Sequence, residues 1–218
     1  MDLFRYIADP LHLIAIILLI RKIHISRNCI GLSYRTQEIF LVTFCLRYLD
    51  LFMYFISVYN TWMKVLYISA TCYTIYLIRK KRPFCGTYDP ACDDFQHYHY
   101  LYPGVFLMTL IIHTRLEIID FLWSYSLWLE AVAFIPQIII LNRMQTVENM
   151  TSNYIACLGM YRFFYLLSWM YRYYMNHHIF WTQVLAGILQ TGVYGELLYY
   201  YFKSVREGKP RMELPLKV

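Results

Sequence analysis

The sequence predicts an all-α membrane protein with seven transmembrane helices. Of the 218 residues, 59% are hydrophobic and 19% are aromatic, while glycine occurs only eight times and the mean hydropathy is +0.39. This composition is more apolar than that of a typical soluble domain. Seven segments each approach the roughly 20 apolar residues that a helix needs to cross a bilayer. Little sequence remains between them, so no soluble domain is expected there.

In chain order, the seven segments are predicted at residues 3–20, 37–56, 60–78, 98–113, 119–141, 151–172 and 179–202. The first resembles the core of a signal peptide, but it runs directly into Arg21 and Lys22 without a small-residue cleavage site. We therefore interpret it as the first helix. The fourth is short and contains Pro103, which predicts a short or bent helix that its neighbours shield.

Lysine and arginine are concentrated in the loops on one side of the predicted helices. That side has fourteen of them, whereas the loops of the other side have Arg115 alone. The fourteen are Arg21, Lys22, Arg27, Arg35, Arg79, Lys80, Lys81, Arg82, Arg143, Lys203, Arg206, Lys209, Arg211 and Lys217. Cytoplasmic loops carry such an excess, so we predict a cytoplasmic C-terminus and a lumenal or external N-terminus. The net charge of +6 then reflects membrane orientation, not a nucleic-acid partner.

Five further basic residues lie within the predicted helices or at their ends. They are Arg5, Arg47, Lys64, Arg162 and Arg172. An ionised group at the bilayer centre costs at least about 2.5–3.5 kcal/mol, so such residues normally face the interior of a bundle. Lys64, at a helix end, is instead expected to extend its amine to the membrane surface.

Helical spacing arranges the polar side chains of four helices as one stripe on each. The stripes consist of Arg5, Asp9 and His12; Arg47, Tyr48 and Asp50; Asp120, Trp123, Leu127 and Glu130; and Tyr161, Arg162, Tyr165, Ser168, Trp169 and Arg172. At about 1.5 Å per residue, Arg47, Glu130 and Arg162 lie near mid-membrane, and Arg5 and Arg172 lie nearer the lumenal ends. We predict that the four stripes face one internal cavity.

Arginine binds carboxylates with fixed, bidentate geometry. Arginines at graded depth in one cavity therefore predict an elongated ligand with several carboxylates. The alternative is that internal carboxylates neutralise every arginine and that the pairs only join helices. Expected pairs of this kind are Arg5 with Asp9 and Arg47 with Asp50, at i, i+4 and i, i+3.

The sequence allows two interpretations of the role of His12. A single histidine on an apolar helix is often a structural residue held by hydrogen bonds. It is also the in-membrane side chain whose unperturbed pKa lies near physiological pH, which favours a pH switch. Tyr161 and Glu130, at a similar depth, are the expected partners.

Several blocks of the sequence resemble the KDEL receptor family, whose members retrieve escaped endoplasmic-reticulum (ER) proteins by their C-terminal signal. The blocks are MDLFRYIADPLHLIAIILL, RYLDLF with ISVYNTWMK after it, LEAVAFIPQ, and TSNYIACLGMYRFFYLLSWMYRY. The resemblance runs from Met1 to about Lys209 with a gap around residues 82–118, and it includes the charged positions as well as the apolar ones.

The resemblance implies a fold like that of the SWEET and PQ-loop transporters, with two parallel three-helix bundles joined by the fourth helix. Pro136-Gln137 is the PQ pair of the second bundle, and Thr36-Gln37 stands at the matching place in the first. Such repeats bind their ligand near mid-membrane, where the repeats meet. The implied domains are a receptor domain at residues 1–209 and a cytoplasmic tail at 210–218.

The resemblance also implies roles for individual residues. Arg47 with Tyr48 would bind the terminal carboxylate of the signal peptide, Arg5 the penultimate glutamate and Arg172 the acidic residue before it. The supporting polar network would be Asp50, Glu130, Tyr161, Arg162, Tyr165 and Trp169.

The outer end of the implied site departs from the family pattern. Trp123 and Asp120 would contact the Lys or His that begins the four-residue signal, but Asp120 stands where the family usually has glutamate. Ser168 replaces the usual asparagine, and the bulky Tyr54 occupies a position that is usually small and polar. The preference among KDEL, HDEL and variant signals is therefore open.

The remaining implied roles concern transport. His12 matches the family's pH sensor, which favours binding in the mildly acidic Golgi and release in the neutral ER. Lys209 matches the lysine signal for the COPI coat, and Glu196 matches an acidic residue needed for transport. The implied receptor cycles between Golgi and ER membranes.

No catalytic constellation, phosphate loop or metal-spaced Cys/His set is present at interpretable spacing, so no enzyme activity and no cofactor are expected. The rival interpretation is a small-solute transporter of the SWEET or PQ-loop type, since fold alone does not exclude it. A heptahelical signalling receptor is a third reading, which the short loops and tail disfavour. A neutral sugar would leave the arginines uncompensated, whereas a peptide with acidic residues would not.

Overall fold

The computed structural model describes residues 3–52, 55, 57–115, 117–176 and 180–215, and most of them are helical. The helices are α1 Leu3–Ser26, α2 Tyr34–Arg47, α3 Val58–Arg79, α4 Leu101–Ile111, α5 Ile118–Val132, α6 Ile135–Met144, α7 Asn149–Asn176 and α8 Trp181–Arg206. The described chain also has two 3₁₀ turns, Leu49–Phe52 and Phe84–Thr87, and two strands, β1 Thr146–Glu148 and β2 Arg211–Glu213.

The prediction of a mainly helical chain is confirmed, and a helix lies in each of the seven predicted segments. The fifth segment divides into α5 and α6, because Pro136 at the start of α6 has no N–H to donate to the preceding turn. By length and hydropathy, two helices of the described chain could span a membrane, Leu3–Ser26 and the combined Ile118–Met144. Leu101–Ile111 is apolar but shorter. The two strands depart from the predicted all-α fold.

The helices that carry the predicted polar stripes are direct neighbours. Helix α1 packs along α7, and α2 packs on α5. Helix α8 packs on α7 and α5, and α3 packs on α2. Buried side chains such as Leu19, Ile39, Leu129 and Leu158 form the apolar core between them. The stripes of α1, α2, α5 and α7 therefore face a common interior.

One end of the bundle is closed by the loop of residues 83–96. Asp93 in this loop is only 1% exposed. Its carboxylate accepts hydrogen bonds from the Ser33 hydroxyl at 2.9 Å, the Arg35 backbone N–H at 3.1 Å and the Tyr88 hydroxyl at 2.8 Å. The Ser33 N–H donates to the side chain of Gln137 at 2.8 Å. The loop, the start of α2 and the start of α6 are thus fixed to one another.

The strands β1 and β2 form an antiparallel ribbon at the same end. Val147 pairs with Met212, and both side chains are 2% exposed. The Leu214 N–H then donates to the Gln145 carbonyl at 2.7 Å. Residues 211–213, which the sequence assigns to the tail, are therefore packed against the helical body.

Candidate functional site

The opposite end of the bundle opens into a cavity of about 680 Å³, within the usual size range of ligand sites. It lies where α1, α3, α5 and α8 begin and where α2 and α7 end. All of the residues predicted for signal binding and pH sensing line it. They are Arg5, His12, Arg47, Tyr48, Asp50, Asp120, Trp123, Glu130, Tyr161, Arg162, Tyr165, Trp169 and Arg172.

The base of the cavity is built around the carboxylate of Glu130, which is 2% exposed. One oxygen is ion-paired with Arg47 from α2, and the other with Arg162 from α7. The Tyr161 hydroxyl donates to Oε1 at 2.8 Å. One anion thereby joins α2, α5 and α7. A buried ion pair repays its desolvation cost only with such additional hydrogen bonds.

Arg47 and Arg162 differ in how far their guanidinium groups are exposed to the cavity. The Arg47 guanidinium also donates to the Ser126 carbonyl at 2.9 Å and to its hydroxyl at 3.2 Å, but its side chain remains 16% exposed toward the opening. Arg162 is covered by the rings of Tyr161, Tyr165 and Trp169, with its guanidinium carbon 5.2–5.9 Å from the ring centroids. Cation–π contacts of this kind stabilise a desolvated guanidinium. Arg47 is thus the accessible cation of the pair.

The expected pairing of Arg47 with Asp50 is wrong. Helix α2 ends at Arg47, and Asp50 lies in a separate 3₁₀ turn, so the i, i+3 relation of a continuous helix does not hold. Asp50 instead pairs with Lys64 of α3, with 2.7 Å between the carboxylate and Nζ.

The interpretation of Lys64 as a residue that extends to the membrane surface is also wrong. Its side chain is only 8% exposed, and its amine lies 5.6 Å from the centroid of the Tyr48 ring. Spacing along one helix could not reveal this contact, because the carboxylate that holds Lys64 comes from another element.

Asp9 has a larger part in the site than the sequence suggested. Its carboxylate lies 3.6 Å from Arg5, as predicted, and also accepts hydrogen bonds from Tyr165 and, at 3.2 Å, from Tyr59. The Tyr67 hydroxyl donates to its backbone carbonyl at 3.1 Å. Asp9 thus joins α1 to α3 and α7. The predicted polar stripe on α1 includes Asp9, but its tyrosine partners on α3 and α7 are distant in sequence and could not be predicted from that stripe.

His12 lies deeper on the same face of α1 and is 6% exposed. Its ring stacks between Tyr161, with 4.2 Å between centroids and an interplanar angle of 5°, and Tyr67, at 4.5 Å and 25°. The expected partner Tyr161 therefore meets His12 face to face, and the Tyr161 hydroxyl continues to Glu130. His12 contacts the ion-pair cluster through this tyrosine.

The outer part of the cavity contains Asp120, Trp123 and Arg172, all half-buried. Trp123 contacts the ring of Phe180 edge-to-face at 5.9 Å. The opposite wall includes Trp169, which packs so closely on α8 that a Cβ at Gly187 would lie 2.6 Å from its ring. Rigid aromatic surfaces therefore flank the route from the opening to the arginines.

The predicted transport residues, Glu196 and Lys209, lie away from the cavity. Glu196 is exposed on α8, and Lys209 follows that helix at the closed end. The Lys209 amine lies 2.8 Å from Glu213 and 3.1 Å from Glu207. The hydrogen bond that Lys209 donates to Glu213 raises the pKa of Lys209, and the same bond lowers the pKa of Glu213. Ser168 is buried in α7 next to Trp169, and Tyr54 lies outside the described residues.

The described cavity wall carries more basic than acidic side chains. The basic ones are Arg5, Arg47, Lys64, Arg115, Arg162 and Arg172, and the acidic ones are Asp9, Asp50, Asp120 and Glu130. Low-dielectric walls concentrate the field of such a surplus, which attracts an anionic ligand. The fold and the cavity together define a helical protein with a deep, cationic ligand site.

Comparison with known proteins identifies the family. Residues 28–172 match the family model described as ER lumen protein retaining receptor. The chain is 42% identical over 217 residues to the ER lumen protein-retaining receptor of Plasmodium falciparum, covering 99% of this chain and 98% of the relative. It is 38% identical over 216 residues to receptor B of Arabidopsis thaliana, covering 99% and 100%, and 42% identical over 209 residues to the Entamoeba histolytica receptor, covering 95% and 96%.

The chain therefore belongs to the ER lumen protein-retaining receptor family. The family is one of membrane-associated receptors in protein transport, and its name describes retention of ER lumen proteins, not an enzyme activity. The resemblance recognised in the sequence is confirmed.

Glu130→Gln should lower the free energy of unfolding by about 3–5 kcal/mol, because two buried guanidinium groups would lose their shared anion. Denaturant unfolding in detergent micelles measures this change. Glu117→Gln is the matched control, since Glu117 precedes the same helix but is exposed. Its effect should stay within about 0.5 kcal/mol. Equal stability of the two variants would contradict the network at the cavity base.

Proposed function

We propose that this chain is a retrieval receptor that binds the C-terminal KDEL- or HDEL-like signal of escaped ER proteins. The observation that carries the proposal is the surplus of basic over acidic side chains in the cavity, which lies at the end of the bundle opposite the 83–96 loop. A peptide that ends in acidic residues and a free carboxylate supplies the opposite charges. The family membership of the chain supports the same function.

The depth of the cavity agrees with the length of such a signal. Asp120 near the opening and Glu130 at the base are ten residues apart on α5, which is about 15 Å along the helix. Four extended residues span at most about 13–14 Å. A tetrapeptide with its terminal carboxylate at Arg47 therefore extends over most of the distance to Asp120.

Each part of the signal then has a partner. Arg47 and Tyr48 bind the terminal carboxylate, Arg5 binds the penultimate glutamate, and Arg172 binds the acidic residue before it. The supporting network that holds these side chains comprises Asp50, Glu130, Tyr161, Arg162, Tyr165 and Trp169. Since Arg47 is ion-paired with Glu130, the terminal carboxylate joins or replaces one of the Arg47 contacts.

The first residue of the signal, Lys or His, lies between Asp120 and Trp123. The carboxylate attracts its positive charge, and the indole face offers a cation–π contact. The Trp123–Phe180 contact holds the indole in position.

The chain is proposed to cross the membrane seven times as two parallel three-helix bundles joined by α4, with the N-terminus lumenal and the C-terminus cytoplasmic. The first bundle is α1–α3, and the second consists of α5 with α6, α7 and α8. In such a repeat, α1 corresponds to α5 and α2 corresponds to α7. The contact of α1 with α7 in the one direction then corresponds to the contact of α5 with α2 in the other, and both contacts are present. This exchange symmetry supports the repeat arrangement.

His12 is proposed to be the pH sensor. In the mildly acidic Golgi lumen it is protonated, and its positive charge near Glu130 strengthens the bound state. In the neutral ER it is uncharged, and the peptide dissociates. The stacking of His12 on Tyr161, whose hydroxyl bonds to Glu130, supports this coupling.

Retrieval also requires recognition by the transport machinery. Lys209 is proposed to be recognised by the COPI coat on the cytoplasmic side. Glu196 is proposed to act in transport rather than in ligand binding. The receptor domain comprises residues 1–209, and residues 210–218 are the cytoplasmic tail. The receptor thereby cycles between Golgi and ER membranes.

Binding of labelled peptides to the purified receptor tests the proposal. Peptides ending in KDEL and HDEL should bind at mildly acidic pH, and an amidated KDEL peptide should not, because it offers no terminal carboxylate to Arg47. Proteoliposomes should show no flux of labelled sugars or amino acids. Flux without carboxylate-dependent peptide binding would favour the SWEET-type transporter instead.

His12→Ala should bind the KDEL peptide with nearly equal affinity at mildly acidic and neutral pH, because no imidazole remains to be protonated. The unmodified receptor should bind more tightly at the acidic pH. His24→Ala is the matched control, since His24 is an exposed histidine near the other end of α1. It should retain the pH dependence. If His12→Ala also retains it, another group is the sensor.

A further inference from the structure

Arg115 lies at the rim of the cavity and has no part in the signal-binding scheme above. It belongs to the α4–α5 loop, is exposed, and lines the opening together with Thr114 and Asp120. Among the described residues it makes no ion pair and no hydrogen bond. Its guanidinium is thus available to a ligand.

The charge of Arg115 is not explained by membrane orientation. The excess of lysine and arginine that orients a membrane protein belongs to cytoplasmic loops. Arg115 is the one basic residue in the loops predicted for the opposite side. A positive charge in this loop does not help to orient the protein in the membrane, and its position at the rim of the cavity suggests a role in ligand binding.

The length of the cavity indicates which part of a ligand meets Arg115. Four extended residues, at most about 13–14 Å long, cover most of the distance of about 15 Å between the levels of Glu130 and Asp120. A fifth residue therefore emerges at the level of Asp120 or beyond it. Arg115 precedes Asp120 by five residues and lies on that outer side of the first turn of α5.

The rim has a mixed electrostatic character. Asp120 faces the opening from α5, the half-buried Arg172 faces it from α7, and the uncharged side chains of Asn60 and Gln183 come from α3 and α8. Asp120 is assigned to the first residue of the signal. Arg172 is assigned to an acidic residue within the signal, so among the described rim residues the Arg115 guanidinium remains for an anionic side chain on the incoming chain.

We propose that the receptor reads a fifth residue and that Arg115 is the specificity-determining residue for it, favouring an acidic side chain directly before the four-residue signal. This inference rests on the proposed function. An exposed ion pair of this kind changes affinity modestly, about two- to fivefold for each charge. It sets the rank order among cargo proteins that share one terminal signal.

The test uses three labelled peptides that end in KDEL and differ only in the residue before it, which is Glu, Gln or Lys. Their affinities for the full-length receptor are measured at mildly acidic pH and low salt. The Glu peptide should bind about two- to fivefold more tightly than the Gln peptide, and the Lys peptide more weakly than both. Raising the salt concentration should reduce these differences.

Arg115→Gln should bind the Glu and Gln peptides equally, while Arg115→Lys should restore part of the preference. Arg206→Gln is the matched control, because it removes the same charge from an exposed position at the far end of α8. It should keep the full preference. A variant Arg115→Gln that still prefers the Glu peptide, or an unmodified receptor indifferent to the fifth residue, would overturn the inference.

The peptide measurements distinguish a failure of the Arg115 role from a failure of the proposed function. If KDEL peptides bind and need their free carboxylate but the fifth residue has no effect, the role of Arg115 is wrong and the proposed function stands. If no KDEL peptide binds better than its amidated form, the proposed function is wrong and the fifth-residue subsite fails with it.

Discussion

The shared carboxylate of Glu130 is the interaction on which the rest of the site depends. It neutralises two arginines from two other helices and accepts a hydrogen bond from Tyr161. Without this anion, both guanidinium groups would be buried beside each other without compensation, which is among the most costly arrangements in a protein interior. Because Glu130 balances Arg162 and only part of Arg47, the base of the cavity remains cationic toward the opening.

The two ends of the bundle have opposite properties, and these follow from the loops. At the closed end, Asp93 fixes the 83–96 loop to the start of α2, and Gln137 connects that point to α6. At the open end, the polar stripes of α1, α2, α5 and α7 line the cavity. The residues that line the cavity therefore lie at the end of the bundle opposite the one that the 83–96 loop covers.

Much of the site could be predicted from single helices. Charged residues at helical spacing identified the cavity wall, because an ionised side chain in an apolar helix is expected to face the interior. The contacts between helices could not be predicted in this way. Helical spacing predicted Asp50 as the partner of Arg47, which is wrong because α2 ends at Arg47. Helical spacing predicted no partner for Lys64, because its partner Asp50 belongs to another element. The β1–β2 ribbon was missed because its strands are three residues long and pair across the whole of α7 and α8.

The central claim is that Arg47 binds the terminal carboxylate of the ligand. A double-mutant cycle tests it most directly, with the KDEL peptide as free acid or amide and the receptor unmodified or carrying Arg47→Gln. The account predicts that the strong preference for the free acid is largely lost in Arg47→Gln, with a coupling free energy of about 1.5–3 kcal/mol. If Arg47→Gln prefers the free acid as strongly as the unmodified receptor does, the carboxylate binds elsewhere and the account is wrong.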